Sequence, residues 1–228
     1  MAMKLGVLFS GGKDSCFALY RAMQKEEVVC LITLRSENKE SYMFHTPNIS
    51  LARLQAKAIG LPLVQKRTEG KEDEELKDLR SAILRAKKRF GIQGVVTGAI
   101  ESIYQASRIH RICMANNLLC INPLWKTDQL QLLQELLKTR FSVMITGVFA
   151  YPLDKKWLGR IIDQRAIQEL EGLCQKFQIS PSGEGGEIET TVLDAPYFLK
   201  SIRIVKKQVY YKNHAGTMDI LKAELKEK

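Results

Sequence analysis

The alternation of strand and helix patterns along the first half of the chain limits the fold more than any other feature of the sequence. Short apolar runs predict strands, and apolar residues spaced three or four positions apart predict helices. The predicted strands occupy 4–9, 28–34, a short segment from 63, 94–98 and 119–121. The predicted helices between them occupy 15–25, 51–59, 73–90 and 102–117. Such alternation is typical of α/β domains, so we expect a parallel five-stranded sheet with helices on both faces.

The pattern changes after residue 123, which we take as the boundary between a domain at 1–123 and a domain at 124–228. Helices are predicted beyond this boundary at 129–138 and 164–177, with a strand at 142–148. They are followed by a glycine-rich turn at 180–186 and by extended segments near 189–193 and 201–211. We therefore expect a smaller α+β lobe after the parallel sheet.

No stretch of the sequence reaches the roughly 18 apolar residues that a membrane-spanning helix needs. The N-terminus leads directly into a strand, without the pattern of a signal peptide. A cytoplasmic location without a membrane partner is therefore expected. The five cysteines form no Cys-x-x-Cys pair, and we expect reduced, mostly buried thiols.

Basic residues outnumber acidic ones, with 35 lysines and arginines against 25 carboxylates and a net charge of +10. They occur in short groups such as 87–89 and 206–207, and do not form one block. They are either solvated faces of helices and strands or a surface for a polyanionic partner, such as a nucleotide, RNA or an RNA-bound protein. Charge alone does not choose between these interpretations.

The stretch LFSGGKDS at 8–15 lies between the first predicted strand and the first predicted helix. Glycines let backbone N–H groups approach an anion, and a helix N-terminus favours negative charge. Lys13 adds a positive charge, whereas Asp14 would repel a phosphate unless a divalent cation lay between them. The spacing differs from that of a Walker loop and of Gly-x-Gly-x-x-Gly. We call residues 10–15 the phosphate loop, and we expect this loop to bind phosphate groups together with Mg²⁺.

The predicted sheet places further residues near this loop. In an open parallel sheet, ligands bind beyond the carboxyl ends of the strands, where the strand order reverses. For an order of 3-2-1-4-5 the reversal lies between the first and fourth strands, so Gly98 is expected to face the phosphates. The alternative for Gly98 is an ordinary turn glycine. Leu34 ends the second strand and is expected beside adenine and ribose.

Ser-Gly-Gly-Lys-Asp-Ser after a first strand closely resembles the pyrophosphate loop, or PP-loop, of the N-type ATP pyrophosphatases. The resemblance implies a HUP-like (adenine nucleotide alpha hydrolase-like) fold that uses ATP and Mg²⁺. In that superfamily a substrate oxygen attacks the α-phosphate, pyrophosphate leaves, and ammonia, an amine or sulfur displaces the adenylate. Lys13 and Asp14 would then be catalytic, with Asp14 also binding the metal. The nucleotide-binding candidates are Ser10, Gly11, Gly12, Lys13, Asp14, Ser15, Leu34 and Gly98.

Further stretches at 98–108, 157–160 and 183–190, together with His45-x-x-Asn48, resemble the diphthine–ammonia ligases. This resemblance runs from about residue 6 to residue 198. It implies that ATP activates the carboxylate of diphthine, a modified histidine on translation elongation factor 2, for conversion to an amide. The sequence contains no Cys-His arrangement for a glutaminase, so free ammonium is the expected nitrogen donor. Nucleic acid is not expected as a substrate.

The substrate-binding candidates lie in the same stretches. The glutamates of the stretch 183–190 could pair with the trimethylammonium group of diphthine, or they could orient ammonium or act as a general base on it. We take one of them, Glu187, as catalytic. Trp157 or Tyr104 could offer an aromatic face to the cation. Arg108 or Arg160 could stabilise the activated phosphate, although salt bridges and core packing are the alternatives. The full set is His45, Tyr104, Gln105, Arg108, Trp157, Arg160, Glu184, Gly186, Glu187 and Glu189.

Two other functions stay open at this point. A tRNA-modifying enzyme could carry the same loop, although the cysteine spacing gives neither a catalytic pair nor an iron–sulfur site. A non-catalytic adenine-nucleotide-binding protein could share the fold. The sequence leaves the oligomeric state open, with a homo-oligomer as one alternative.

Overall fold

The computed structural model describes residues 2–36, 48–70 and 72–228. Its first half contains five strands: β1 (Lys4–Leu8), β2 (Glu27–Ser36), β3 (Leu63–Thr68), β4 (Gly94–Val96) and β5 (Leu119–Ile121). The helices between them are α1 (Lys13–Met23), α2 (Ala52–Ile59), α3 (Glu72–Phe90) and α4 (Ile103–Met114), with a short 3₁₀ helix at Ile49–Leu51. The predicted α/β alternation is therefore present, with differences of a few residues at element ends.

All five strands are parallel and lie in the order β3-β2-β1-β4-β5. The predicted order is confirmed, and the reversal lies between β1 and β4. Helices α1 and α2 contribute to the hydrophobic cluster on one face, and α3 and α4 to the cluster on the other. Because both faces are covered, β1 is apolar after its exposed first residue Lys4, and Leu5 and Val7 are fully buried.

The second half contains helices α5 (Gln129–Lys138) and α6 (Gln164–Phe177), and a 3₁₀ helix at Lys155–Trp157. Its strands are β6 (Ser142–Val148), β7 (Ile188–Asp194), β8 (Ser201–Lys212) and β9 (Ala215–Lys226). These four strands form an antiparallel sheet in the order β7-β6-β9-β8. The hydrophobic cluster that includes α1 continues into this lobe, where the ring of Phe17 meets that of Phe141 at 5.5 Å. The boundary at residue 123 falls between β5 and α5 and stays a prediction.

Strand β9 was not predicted from the sequence, where the last assigned segment is 201–211. A two-residue turn at Asn213 and His214 joins β8 to β9, and both residues have positive φ angles of 50° and 60°. Such turns match the twist of paired strands, and asparagine tolerates this conformation. The asparagine was the available signal. It was masked by charged, helix-favouring residues towards the end of β9, which is partly exposed.

Two other expectations concern the whole chain. All five cysteines are free thiols: Cys16, Cys30 and Cys113 are buried, and the other two are half-buried, as predicted. Among the described residues, no helix has the length and apolar content needed to cross a membrane.

Candidate active site

The phosphate loop is folded by its own two serines. The Ser15 hydroxyl accepts hydrogen bonds from the N–H groups of Ser10 and Gly11, each at 3.2 Å, and donates to the carbonyl of Gly12 at 3.1 Å. The Ser10 hydroxyl lies 3.1 Å from that of Ser15 and accepts from the N–H of Gly12 at 3.3 Å. Ser10 and Ser15 were predicted to bind the nucleotide, and in this structure their hydroxyls determine the shape of the loop.

Gly11 lies where the loop contacts α2 and β7. Its φ of +83° favours glycine, and a Cβ there would lie 2.0 Å from Oε1 of Gln55. The side-chain amide of Gln55 donates to the carbonyls of Gly11 at 2.8 Å and Val192 at 2.9 Å. The N–H of Val192 donates to the same Gly11 carbonyl at 3.0 Å. The loop is therefore attached to both lobes of the protein.

Sequence reasoning missed Gln55, and it also missed Thr190, whose hydroxyl accepts from the N–H of Lys13 at 3.1 Å. The available signal for Gln55 was a polar residue among the apolar residues Ala52, Ala56 and Ile59 of α2, where it is buried. For Thr190 the available signal was only its position in the family-like stretch 183–190.

Gly98 packs directly against the start of α1. A Cβ at this position would lie 2.8 Å from the carbonyl carbon of Asp14 and 2.8 Å from the nitrogen of Ser15. Only glycine permits this approach without movement of the backbone. The segment after β4 therefore lies beside the phosphate loop, as its predicted location requires.

A cavity of about 400 Å³ lies at the carboxyl ends of β1, β2 and β4. One wall is the phosphate loop, and another is formed by the glycine-rich turn and the start of β7. The predicted site residues that line it are Ser10, Gly12, Lys13, Asp14, Ser15, Leu34, Gly98, Gln105, Glu184, Gly186 and Glu189. The volume suits a small-molecule ligand.

Lys13 and Asp14 form an ion pair at the cavity. The Nζ of Lys13 lies 2.9 Å from Oδ2 of Asp14, and the lysine side chain is only 4% exposed. The other oxygen of Asp14, Oδ1, is buried and has no hydrogen-bond partner within the described part of the chain. Because a buried carboxylate oxygen needs a donor or a cation, these residues fit the predicted Mg²⁺.

The three glutamates of the glycine-rich turn and β7 differ in their partners. Glu184 accepts from the N–H of Glu101 at 3.1 Å, and burial raises its pKa. Glu187 accepts from the N–H of Ser180 at 2.9 Å, and its other oxygen, Oε2, is buried without a partner among the described residues. Burial raises the pKa of Glu189 to about 8. Glu187, taken as catalytic from the sequence, is not among the residues that line the cavity.

Trp157 and Arg160 lie apart from the cavity lining. The Arg160 guanidinium binds both carboxylate oxygens of Glu169, at 2.5 and 3.0 Å, and lies 4.6 Å from the centre of the Trp157 ring. Trp157 is 6% exposed and belongs to the core. The structure thus gives both residues the structural roles that were their alternatives, and their substrate roles stay predictions.

Tyr104 and Arg108 lie on α4, and both its N-cap Ser102 and its residue Gln105 line the cavity. The guanidinium carbon of Arg108 lies 3.4 Å from the centre of the Tyr104 ring. The rings of Tyr104 and Trp157 were proposed to face a substrate cation, and each of them lies next to an arginine of this chain. His45 lies outside the described residues.

Comparison with known proteins gives two family matches along the chain. A family model of the diphthamide synthase N-terminal domain matches residues 3–119, and one of the diphthamide synthase C-terminal domain matches residues 128–225. The chain is 34% identical over 227 residues to the diphthine–ammonia ligase of Bos taurus, covering 91% of this chain and 85% of that protein. It is 33% identical over 227 residues to the diphthine–ammonia ligase of Homo sapiens, again covering 91% of this chain and 85% of that protein.

A fungal relative is longer. The diphthine–ammonia ligase of Schizosaccharomyces pombe is 34% identical over 224 residues, which cover 91% of this chain and 37% of that protein. Among solved structures, a predicted subunit of tRNA methyltransferase from Methanocaldococcus jannaschii matches with 20% identity and a TM-score of 0.45, over 85% of this chain and 98% of that one. This likeness is too low to carry an argument.

Proposed function

This chain belongs to the diphthamide synthase family, and we propose that it is an ATP-dependent ligase that converts the carboxylate of diphthine to an amide with ammonium. The observation that carries the proposal is one cavity lined both by the phosphate loop and by the family-like stretch 183–190. A nucleotide held by the loop and an acceptor held by that stretch would share this space.

Use of ATP follows from the ligase family, and the geometry supports a place for its phosphates. The phosphate loop leads into the N-terminus of α1, where free N–H groups and the helix dipole favour anions. The Lys13 ammonium acts there from a nearly buried position, where charges are weakly screened. We infer that the β- and γ-phosphates lie against residues 10–15.

We propose that Asp14 holds Mg²⁺ through its unpaired Oδ1. The bound ion would neutralise charge on the pyrophosphate as it leaves. The Lys13 ammonium, which is paired with Asp14, would also stabilise the negative charge on the leaving pyrophosphate.

The proposed chemistry has two steps. A carboxylate oxygen of diphthine attacks the α-phosphorus of ATP, and the bond to pyrophosphate breaks. Ammonia then attacks the acyl carbon of the adenylate, and the bond to AMP breaks, which leaves the amide. The cavity walls contribute by holding the two reactants together and by excluding water from the adenylate.

The substrates are a diphthine-bearing protein and ammonia, and we propose that the protein is translation elongation factor 2. The net charge of +10 supports a partner that is acidic or bound to RNA. The cytoplasmic location and a homo-oligomeric state stay predictions.

The test is to supply purified protein with ATP, ammonium and elongation factor 2 that carries diphthine. We expect AMP in solution and an amide on the modified histidine by mass spectrometry. Asp14→Ala should lower the rate of AMP formation by about 10²-fold or more, because it removes the proposed metal ligand. Glu171→Gln, an exposed change on α6, is the control for handling and folding.

Two outcomes would contradict the proposal. If Asp14→Ala consumes ATP at nearly the wild-type rate, the phosphate loop has been assigned wrongly. If tRNA stimulates AMP formation and elongation factor 2 does not, the alternative of a tRNA-modifying enzyme replaces the ligase proposed here.

A further inference from the structure

Glu189 occupies a distinctive position in the cavity wall. It lies on β7 directly opposite Gly147 of β6. A Cβ added at Gly147 would lie 3.1 Å from the Cβ of Glu189. The hydroxyl of the next residue, Thr190, accepts a hydrogen bond from the N–H of Lys13, so Glu189 is held close to the start of α1. Its carboxylate therefore shares the cavity with the phosphate loop while its backbone is fixed by two strands and a helix.

The surroundings of Glu189 leave its carboxylate without a counter-charge in the described part of the chain. Strand β6 carries no titratable side chain. The charges at the start of α1, on Lys13 and Asp14, are paired with each other. The glycine-rich turn supplies Glu184 and Glu187, which accept hydrogen bonds from backbone N–H groups.

One oxygen of Glu189, Oε2, is buried and has no hydrogen-bond partner among the described residues. Burial is the cause of its raised pKa, about 8, so near neutral pH both protonation states are accessible. A group that can take and release a proton at the working pH suits general base catalysis. Ammonium needs such a group, because its nitrogen has no lone pair until it loses a proton.

We propose that Glu189 is the general base that converts bound ammonium into ammonia for attack on the activated carboxylate. The proposal rests on the proposed function and deepens it. The carboxylate of Glu189 accepts one proton from ammonium, and the freed lone pair forms the C–N bond as the C–O bond to AMP breaks. The second proton lost by nitrogen leaves with the AMP phosphate. Glu189 then releases its proton to solvent.

The other two glutamates have a different role in this scheme. Glu184 holds the backbone at Glu101, and Glu187 holds the backbone at Ser180. Both bonds use a carboxylate oxygen as an acceptor, and an amide oxygen can replace it. Glutamine variants of these two residues therefore separate positioning from proton transfer.

The experiment measures the two chemical steps separately, with the full chain and diphthine-bearing elongation factor 2. Adenylation is followed by ATP–pyrophosphate exchange, and amide formation by mass spectrometry. For Glu189→Gln we expect exchange within about threefold of wild type and amide formation from ammonium lowered by about 10²-fold or more. Hydroxylamine, which is largely neutral near pH 7, should restore product formation to within about tenfold of wild type.

Two further variants make the test specific. Glu189→Asp keeps a carboxylate and should recover part of the rate with ammonium. Glu187→Gln should show similar losses with ammonium and hydroxylamine, because it lacks a role in proton transfer.

Several results would overturn the proposal. One is full activity of Glu189→Gln with ammonium. Another is a loss of exchange as large as the loss of amide formation, which would place Glu189 in folding or adenylation. A third is failure of hydroxylamine to restore the variant. If wild type exchanges pyrophosphate but forms no product with either nucleophile, the proposed ligase function falls, and this inference falls with it.

Discussion

The phosphate loop and the glycine-rich turn line one cavity, yet their polar atoms are satisfied in different ways. In the loop, the hydroxyls of Ser10 and Ser15 bind N–H groups no more than five positions away. In the turn and the start of β7, the carboxylates reach further, and Glu189 keeps an oxygen without a partner in the described chain. The first wall is shaped by local bonds, and Oδ1 of Asp14 is its unpartnered buried oxygen among the described residues. The second wall carries the buried carboxylate of Glu189, which only a ligand or a proton can balance.

This difference leads to separate expectations for the two walls. Changes that alter the packing of the loop should act through shape, because its serine hydroxyls are already hydrogen-bonded and Gly98 packs tightly against the start of α1. Changes at β7 should act through protonation, because burial of a carboxylate is its distinctive feature.

The largest effect is expected from Gly98→Ala on the loop side. The new Cβ would meet backbone atoms of Asp14 and Ser15 at 2.8 Å, so the start of α1 has to move. A displacement of this kind at a binding loop should weaken ATP binding by about 10²-fold, measured by calorimetry. Gly172→Ala in α6 is the matched control, since a Cβ there meets no atom within 4 Å.

That control should leave ATP affinity unchanged and raise stability slightly, by about 0.5–1 kcal/mol, because alanine favours a helix over glycine. Wild-type ATP affinity in Gly98→Ala would show that the approach of β4 to α1 does not shape the nucleotide site. The expectation that changes on the loop side act through the shape of the loop would then be contradicted.

A smaller effect is expected from Glu189→Gln on stability, read as a function of pH. Burial raises the pKa of Glu189 from 4.5 to about 8, so the folded state favours the protonated acid. Its contribution to stability is present in full below pH 4.5 and is lost as the pH rises through 8. Glutamine does not titrate, so the free energy of unfolding of the variant should rise above that of wild type over this range, by about 2 kcal/mol at pH 6 and by more towards pH 8.

Urea unfolding at a series of pH values measures this gap. Glu171→Gln, on the exposed face of α6, should show no such trend. A gap that stays constant between pH 5 and pH 8 would mean that Glu189 is not held in a desolvated state, and the contrast between the two walls would be lost.

The same contrast explains how much could be predicted from the sequence. The phosphate loop was recognisable because its bonds join residues close in the chain. The parallel sheet followed from the alternation of elements, whereas its strand order entered the sequence analysis only as a condition. Gln55 lies 44 positions from Gly11, and Thr190 lies 177 positions from Lys13. The first contact depends on packing within the first lobe and the second on packing between the two lobes, and no local pattern encodes either.

The roles of the glutamates were hidden for the same reason. Glu184, Glu187 and Glu189 lie within six positions, and Glu187 was taken as catalytic although no local pattern distinguishes it from the other two. Their burial and their backbone partners at Glu101 and Ser180 distinguish them in the structure. Composition identified the cluster, but only the fold shows which carboxylate faces the cavity without a partner.

The smallest effect is expected from Arg160→Ala, which tests whether the site ends at these two walls. Arg160 is bound to Glu169 and lies over Trp157, away from the cavity lining. Its loss should lower stability by about 1 kcal/mol, or about 2–4 °C in Tm, through the lost ion pair and ring contact. The rate of amide formation at saturating ATP should stay within about twofold of wild type.

Arg165→Ala is the matched control, because Arg165 binds the same carboxylate at 3.2 Å but is 85% exposed. It should change Tm less than Arg160→Ala does, since exposed ion pairs contribute little. A tenfold loss of amide formation in Arg160→Ala with an unchanged Tm would reverse this assignment. Arg160 would then act on the substrate, and the site would extend beyond the phosphate loop and the glycine-rich turn to the segment that follows β6.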